Sequence, residues 1–431
     1  MKFEIRNVNK IKKAEIDLDG LTVIVGENSS GKSTIGRLLY STIQAVKNSE
    51  LKNDRESFNK LIKHIDSLYV HISSLRKNDS KLQEIFPLPL NKFLIKLNDS
   101  KSPFDYIEDC RKYLGTKEIS PRERALIFSD LQSMVITLKK TDKDWSLASE
   151  IQYLVESEFE NRINSNNSDI SLFRLTDKDN IISSFITNNS LDRFDIEGRP
   201  FIQDATYIES PLYLHVLDSL LMSAPYREQL YKDNIRPMAP YHILDFALKI
   251  NSLKYVNSKN CENKLCKTFD INSIINGRFE FDMDLNKIVF VQNNKQFEPI
   301  NVASGIKSFG IIEMLLEGDY INENKMLIWD EPENHLHPEW QIKFANLLVN
   351  LSNNGIPILV TTHSPYFLQA LRYYSSMYGI EKFVNYYSPS EKCQEYSIFE
   401  NVTGNLNKVF SRLANPLNEI MNVDEVRNSM K

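Results

Sequence analysis

The sequence predicts an α/β fold interrupted by a helical insertion, and three observations point there. A short apolar run near the N-terminus is followed by a glycine-rich turn and an amphipathic helical pattern. Beyond residue 300, apolar strand-like runs again alternate with helical patterns. Between them lies a long interval almost without glycine, rich in Leu, Ile, Lys, Glu, Asn and Ser. The two ends therefore read as one α/β core, residues 1–46 and 201–400, with a helical insertion at 47–200 and a helical tail at 401–431.

Each element has a local reason. LTVIV (21–25) reads as a buried strand, and Ile35, Leu38, Leu39, Ile43 and Val46 form one helical stripe after it. Gly20, Gly26, Gly31 and Gly36 crowd the intervening region, whereas only Gly115 falls between Gly36 and Gly198. In that interval Leu61, Ile65, Leu68, Ile72 and Leu75 repeat at spacings of 4, 3, 4 and 3, as in an amphipathic helix or a short coiled-coil seam, which Pro87 and Pro89 end. Ser120-Pro121 predicts a cap and first helical position, with Leu131, Met134, Val135 and Leu138 on one face. A third helix is expected from Ser146 to about Asn164, then a loop over 164–168. Strand signal returns at ATYIES (205–210), and residues 277–300 alternate and turn like a meander.

Composition bounds the function. The 431 residues carry 52 Lys+Arg against 57 Asp+Glu, a formal charge of −5, on a chain long enough for two or three domains. That mildly acidic balance excludes a dedicated nucleic-acid coating protein, while Arg6, Lys10, Lys12 and Lys13 leave a local basic face open. No apolar run approaches the ~18 residues of a membrane-spanning helix. MKFEIRNVNKIKK lacks a secretory signal, so a cytoplasmic location without membrane contact is expected. Cys110, Cys261, Cys266 and Cys393 are too few and scattered for a disulfide framework. Cys261 and Cys266 have a spacing that a metal site uses, but no second pair lies nearby to complete four ligands.

Residues 26–33, Gly-Glu-Asn-Ser-Ser-Gly-Lys-Ser, match the full G-x-x-x-x-G-K-[ST] pattern between that strand and helix. Strand, loop and helix in this order surround a polyphosphate with backbone N–H groups and the positive end of a helix. Lys32 is expected to neutralise the β- and γ-phosphates of such a ligand and Ser33 to ligate Mg²⁺. KMLIWDEPENHLHPEW (325–340) then delivers Asp330 and Glu331 at a strand end, which divides the labour between the metal and the attacking water. IPILVTTH (356–363) ends on His363, a γ-phosphate sensor or else an ordinary loop histidine. His335 and His337 flank Leu336, a pattern read as packing or dimer contact in preference to a metal site.

Together these motifs resemble the ATP-binding cassette ATPases, and within them the non-transporter SMC/RecF/OLD-like branch. The resemblance implies an ABC-type head, a mixed sheet plus an antiparallel β subdomain, with ATP and Mg²⁺ as its ligands. It implies a Walker A loop at 26–34, so that Gly26, Glu27, Asn28, Ser29, Ser30, Gly31, Lys32, Ser33 and Thr34 hold ATP. It further implies a Walker B strand with Asp330 on Mg²⁺ and Glu331 on water, a D-loop around Asn334 to Pro338, and a switch at His363. NVASGIKSFG (301–310) looks like the signature segment, whose Ser304 and Gly305 would meet the ATP of a second copy, making a homodimer. Its SGIKS departs from the Ser-Gly-Gly-Gln of transporter cassettes. For the glutamine that contacts Mg²⁺, Gln203 is the candidate.

GENSSGKST, DEPENHLHPEWQ and VTTHSPYF are most similar to ATPases of prokaryotic anti-phage defence systems, the Septu, PARIS and retron-associated ATPases and the ATPase half of OLD nucleases. No Asp-x-Asp follows His363, so the nuclease or toxin effector is expected on a separate polypeptide. The alternatives are a RecF-type DNA-repair ATPase that binds nucleic acid, and a transporter or translation-factor cassette.

Overall fold

The computed structural model describes residues 1–77, 79–87, 93, 96, 103–139, 143–160, 162–165, 168, 170–198, 201–223, 239–255, 269–282, 285, 287–390 and 395–415. Two compact units divide the chain, Met1–Lys47 with Ala148–Lys431, and Asn48–Leu147.

The larger unit is built on an eleven-stranded mixed sheet. Its strands are β1 (Lys2–Val8), β2 (Ile11–Asp17), β3 (Leu21–Val25), β4 (Ile170–Asp177), β5 (Asn180–Thr187), β6 (Ser190–Glu197), β7 (Asp204–Ile208), β11 (Lys325–Asp330), β12 (Ile358–Thr362), β13 (Val384–Pro389) and β14 (Ser397–Asn401). They lie in the order β6-β5-β4-β1-β2-β14-β13-β3-β12-β11-β7. From β13 to β7 every pairing is parallel, and from β2 to β6 every pairing is antiparallel. A separate antiparallel meander, β8 (Arg278–Asp282), β9 (Lys287–Gln292) and β10 (Lys295–Phe297), occupies the region where the sequence predicts one.

The parallel strands β3, β7 and β12 are buried along their whole length, because helices cover both faces. On one face lies α1 (Lys32–His71), whose Ile35, Leu38, Leu39 and Ile43 are buried. Gly36 lets it come close: a Cβ there would sit 2.8 Å from Tyr207 Cε2 and 3.2 Å from Ile328 Cγ2. The opposite face carries Trp329, whose ring stands edge-on to Phe344, which in turn meets Phe309.

Residues 170–197, read from the sequence as part of the helical insertion, instead form β4, β5 and β6 and extend the main sheet. The turns that join them use Lys178 at φ 55° and Asn188 and Asn189 at φ 52° and 63°, so left-handed backbone is reached without glycine.

The smaller unit is helical over its described residues. Following the second part of α1 come α2 (Pro103–Gly115) and α3 (Pro121–Lys139), and Ile65, Leu68, Ile72, Phe86, Phe93, Cys110, Leu131 and Met134 fill its core. Ser120 and Glu123 cap α3 reciprocally: the Glu123 N–H donates to Ser120 Oγ at 3.3 Å, and the Ser120 N–H donates to Glu123 Oε2 at 3.2 Å. The side chains of Leu61 and Leu138, together with Pro89, Cys261, Cys266, Cys393 and residues 416–431 of the expected tail, lie outside the described residues. The next helix, α4 (Lys143–Phe159), ends earlier than the sequence suggests.

In the larger unit α5 (Tyr241–Asn251) is fastened to β7 by a buried ionic network. Lys249 Nζ lies 3.1 Å from Asp204 Oδ1 and 2.9 Å from Asp245 Oδ2, and Gln44 Nε2 of α1 donates to Asp204 at 2.6 Å. Three further helices, α6 (Ser304–Glu317), α7 (Pro338–Asn353) and α8 (Pro365–Met377), complete the core. Among the described residues no helix is long and apolar enough to cross a membrane.

Candidate nucleotide site

The site gathers at the C-terminal ends of β3, β11 and β12, where an open α/β sheet presents its loops. β3 runs into loop 26–31, and α1 begins at Lys32. Gly26 N–H donates to Thr362 O at 3.2 Å, tying the loop to β12. Gly31 has φ 99°, and a Cβ there would stand 2.9 Å from Ile11 Cγ1, so glycine is required twice over. A cavity of about 330 Å³ opens over this loop, lined by Asn28 to Thr34, by Glu331, and by Asn9 and Lys10 from the β1–β2 turn. Ser30 Oγ is buried and without a hydrogen-bond partner among the described residues.

Lys32 is 4% exposed and its ammonium donates to Glu27 O at 2.9 Å. It also lies 3.3 Å from Glu331 Oε1. Asp330, buried at the end of β11, accepts from the Thr361 hydroxyl and from Ser33, while burial pushes its carboxyl above the usual range.

Glu331 occupies a left-handed backbone conformation, φ 47°, and its N–H donates to Thr361 Oγ1 at 3.0 Å. Its Oε1 is 3.1 Å from His363 Nδ1, and its Oε2 accepts from Asn334 Nδ2 at 3.1 Å. The His363 ring beside it, aided by Asn334 and Lys32 against burial, holds the Glu331 carboxyl down at about 2. The same proximity raises His363. Glu331 and His363 thus lie at ion-pair distance, and each favours the charged form of the other.

A family model described as AAA ATPase domain matches residues 1–368. The chain belongs to the AAA ATPase domain family. A 138-residue stretch is 28% identical to an uncharacterized protein of Methanocaldococcus jannaschii, covering 31% of this chain and 16% of that protein. The chain thus matches less than a fifth of that relative's length. Among solved structures, the SMC head domain from Thermotoga maritima is similar with a TM-score of 0.38 and 10% identity, covering 93% of this chain and 98% of that one. The Smc head domain with an extended coiled coil, bound to the C-terminal domain of ScpA, from Pyrococcus furiosus gives 0.39 and 10%, covering 99% and 98%.

In this AAA ATPase domain the remaining residues named from the sequence fall in different places. Ser304 begins α6 and its hydroxyl donates to His335 O at 3.3 Å, while Gly305 lies beneath Trp340 and Leu336. Neither lines the cavity over loop 26–31. His337 caps α7 by accepting from the Glu339 N–H, a structural use. Gln203 is not brought to the site. The parallel register pairs Asp204 with Lys325 and Ile208 with Trp329, so Gln203 stands at the opposite end of the strands from Asp330, its N–H donating to Asn324 O at 2.8 Å.

That register places Glu209 next to Asp330 instead. Glu209 accepts from Arg37 at 3.1 Å and from the Tyr213 hydroxyl at 2.9 Å, and its Oε2 is 3.3 Å from His242 Nε2. Its carboxyl is lowered to about 2, chiefly by His242. The strand-end rule that singles out Asp330 applies equally to Glu209, which follows ATYI directly. Glu333 was also overlooked: it is 4% exposed and binds the loop that carries His363. Asn9 carries no motif signal at all.

The donor set fits Mg-ATP. A buried ammonium, a glycine-rich loop and an unpaired Ser30 hydroxyl face one cavity, and the Ser33 hydroxyl and Asp330 carboxylate meet beside it. Two protein oxygens, completed by phosphate oxygens and water, are what Mg²⁺ in such sites needs.

Proposed function

We propose that this AAA ATPase domain protein hydrolyses ATP as a switch that closes two copies of the chain over shared nucleotide and controls a separate nuclease or toxin in anti-phage defence. The observation that carries the hydrolytic part is that Lys32 Nζ and His363 Nδ1 lie 3.3 and 3.1 Å from the same Glu331 oxygen, beside Ser33 and Asp330.

Lys32 would exchange Glu331 for the β- and γ-phosphates, and the loop N–H groups would hold the chain of phosphates in line. Ser33 and Asp330 would hold Mg²⁺, whose charge would offset that of the phosphates. Glu331, released from Lys32, would orient the attacking water as an acceptor; a carboxylate held near 2 is ionised at neutral pH and too weak a base to do more before the transition state. His363, whose protonated form Glu331 favours, would donate to the γ-phosphate.

The shared site is supported by α6. Its first turn has no side-chain cap, so its N–H groups are available to an anion, yet Ser304 does not line the cavity of its own chain. A second copy turned head to tail brings the two together. The defence role is supported by the resemblance of three motifs to defence ATPases. Phosphate release from Mg-ATP by the wild type and by Glu331→Gln tests the hydrolytic part, and equal rates would overturn it. Phage plating on cells that express the protein with its neighbouring gene tests the defence role; protection that survives Lys32→Ala would speak against it.

A further inference from the structure

Two residues beyond Glu331, a third carboxylate is built into the loop after β11 in an unusual way. Glu333 is 4% exposed, and the described hydrogen bonds of its side chain converge on one oxygen. Oε1 accepts from the Thr362 hydroxyl at 2.6 Å, from the His363 N–H at 2.9 Å and from the Ser364 N–H at 3.2 Å. It also lies 3.6 Å from His363 Nδ1. The other oxygen, Oε2, is buried without a hydrogen-bond partner among the described residues. Burial raises the carboxyl above its usual range.

These contacts have a geometric consequence. The N–H groups of His363 and Ser364 are consecutive donors at the point where β12 ends and α8 has not begun, so no strand or helix partner serves them. Glu333 accepts from both, sharing the Ser364 N–H with Thr362 Oγ1 at 3.0 Å, and so helps to fix the backbone from which the His363 ring projects. That ring reaches Glu331 at 3.1 Å. Glu331 and Glu333 leave the same short loop, so one segment presents a carboxylate to the histidine ring and another to its backbone. A buried acid with an idle oxygen is costly, and packing alone would be served by an apolar residue.

We propose that Glu333 is a positioning residue that sets the His363 ring against Glu331, and so joins the acidic loop to the histidine loop during hydrolysis. The inference rests on the hydrolytic reading above. It predicts that Glu333 acts on turnover through His363 and not on ATP binding, since its side-chain hydrogen bonds and ion pairs among the described residues go to Thr362, His363 and Ser364 and not to loop 26–31 or Lys32.

The test uses the full chain with Glu333→Ala, Glu333→Gln, His363→Ala and the double variant Glu333→Ala/His363→Ala. Glu333→Ala should lower kcat roughly tenfold or more with KM for ATP little changed, the mark of an interaction made in the transition state. Glu333→Gln keeps a carbonyl oxygen for the three donors and should recover most of the rate. The double variant should be no slower than His363→Ala, because residues acting as one unit are not additive. Independent losses that multiply in the double variant would overturn the proposal. Hydrogen exchange at the 363–364 amides provides a reading that needs no activity: faster exchange in Glu333→Ala, restored in Glu333→Gln, supports the brace, and unchanged exchange refutes it. A wild type that releases no phosphate would defeat the hydrolytic reading, while this exchange measurement still decides the role of Glu333.

Discussion

Lys32 and Glu331 form an ion pair at 3.3 Å in which the ammonium is almost wholly buried. The phosphates of ATP must therefore compete with a carboxylate for the same cation. Lys32→Ala should weaken ATP binding by at least about tenfold, the worth of one hydrogen bond to a charged group. Glu331→Gln removes the competitor and should bind ATP at least as tightly as the wild type, while kcat falls by roughly 10²–10⁴-fold. Calorimetric titration and phosphate release separate the two effects. Comparable loss of binding in both variants would mean that Glu331 is misassigned.

Assembly is tested by complementation. Ser304→Arg should leave ATP binding largely intact and abolish hydrolysis, because the added cation blocks the approach of the second copy to α6. Mixed with Lys32→Ala it should regain activity, since a mixed pair holds one site with both halves intact. A mixture that stays inactive, although mixed dimers are detected, rules out sharing.

His242 provides a pH prediction. It is fully buried, with Nδ1 2.7 Å from Glu158 Oε2 and Nε2 3.3 Å from Glu209 Oε2, and these carboxylates raise its pKa in spite of burial. A raised folded value means that this contribution is complete below the unfolded value of about 6.5 and is lost as pH rises through the folded one. Stability measured by urea unfolding should then decline above about pH 6.5 more steeply in the wild type than in His242→Gln. His242→Ala, which leaves buried Glu158 without its cationic partner and with only the residue-242 N–H at 3.0 Å, should cost about 3–5 kcal/mol. Identical pH slopes in wild type and His242→Gln would count against a charged His242.

Gly36 is the tightest point between α1 and the sheet. Alanine there gains about 1 kcal/mol of helix propensity but forces a methyl group to within 2.8 Å of the buried Tyr207 ring. Overpacking typically costs about 1–3 kcal/mol, so Gly36→Ala should lower Tm or leave it unchanged. A clear rise in Tm would show that the ring yields freely.

Local signals made the parallel core legible. LTVIV, KMLIWD and ILVTT are buried strands because helices cover both faces, so each reads as an uninterrupted apolar run. Lys32 and Ser33 are legible from the G-x-x-x-x-G-K-[ST] pattern, and Asp330 and Glu331 from the apolar run KMLIW that they end. β4 to β6 are hidden because scarce glycine reads as a helical sign, although Asn188 and Asn189 serve the turn equally well. Glu209 and Glu333 depend on partners 33 and 30 residues away, His242 and His363, which no local pattern records.

Glu331 sits at φ 47°, a conformation that asparagine and glycine adopt more readily than glutamate. Selection for thermal resistance alone would then favour replacing it, and a laboratory screen that scores only folding would enrich inactive chains at this position. If Glu331 orients the attacking water as proposed, its carboxylate would persist only while turnover itself is under selection, and sequence drift at this one position would report whether a lineage still uses the machine or merely keeps the scaffold.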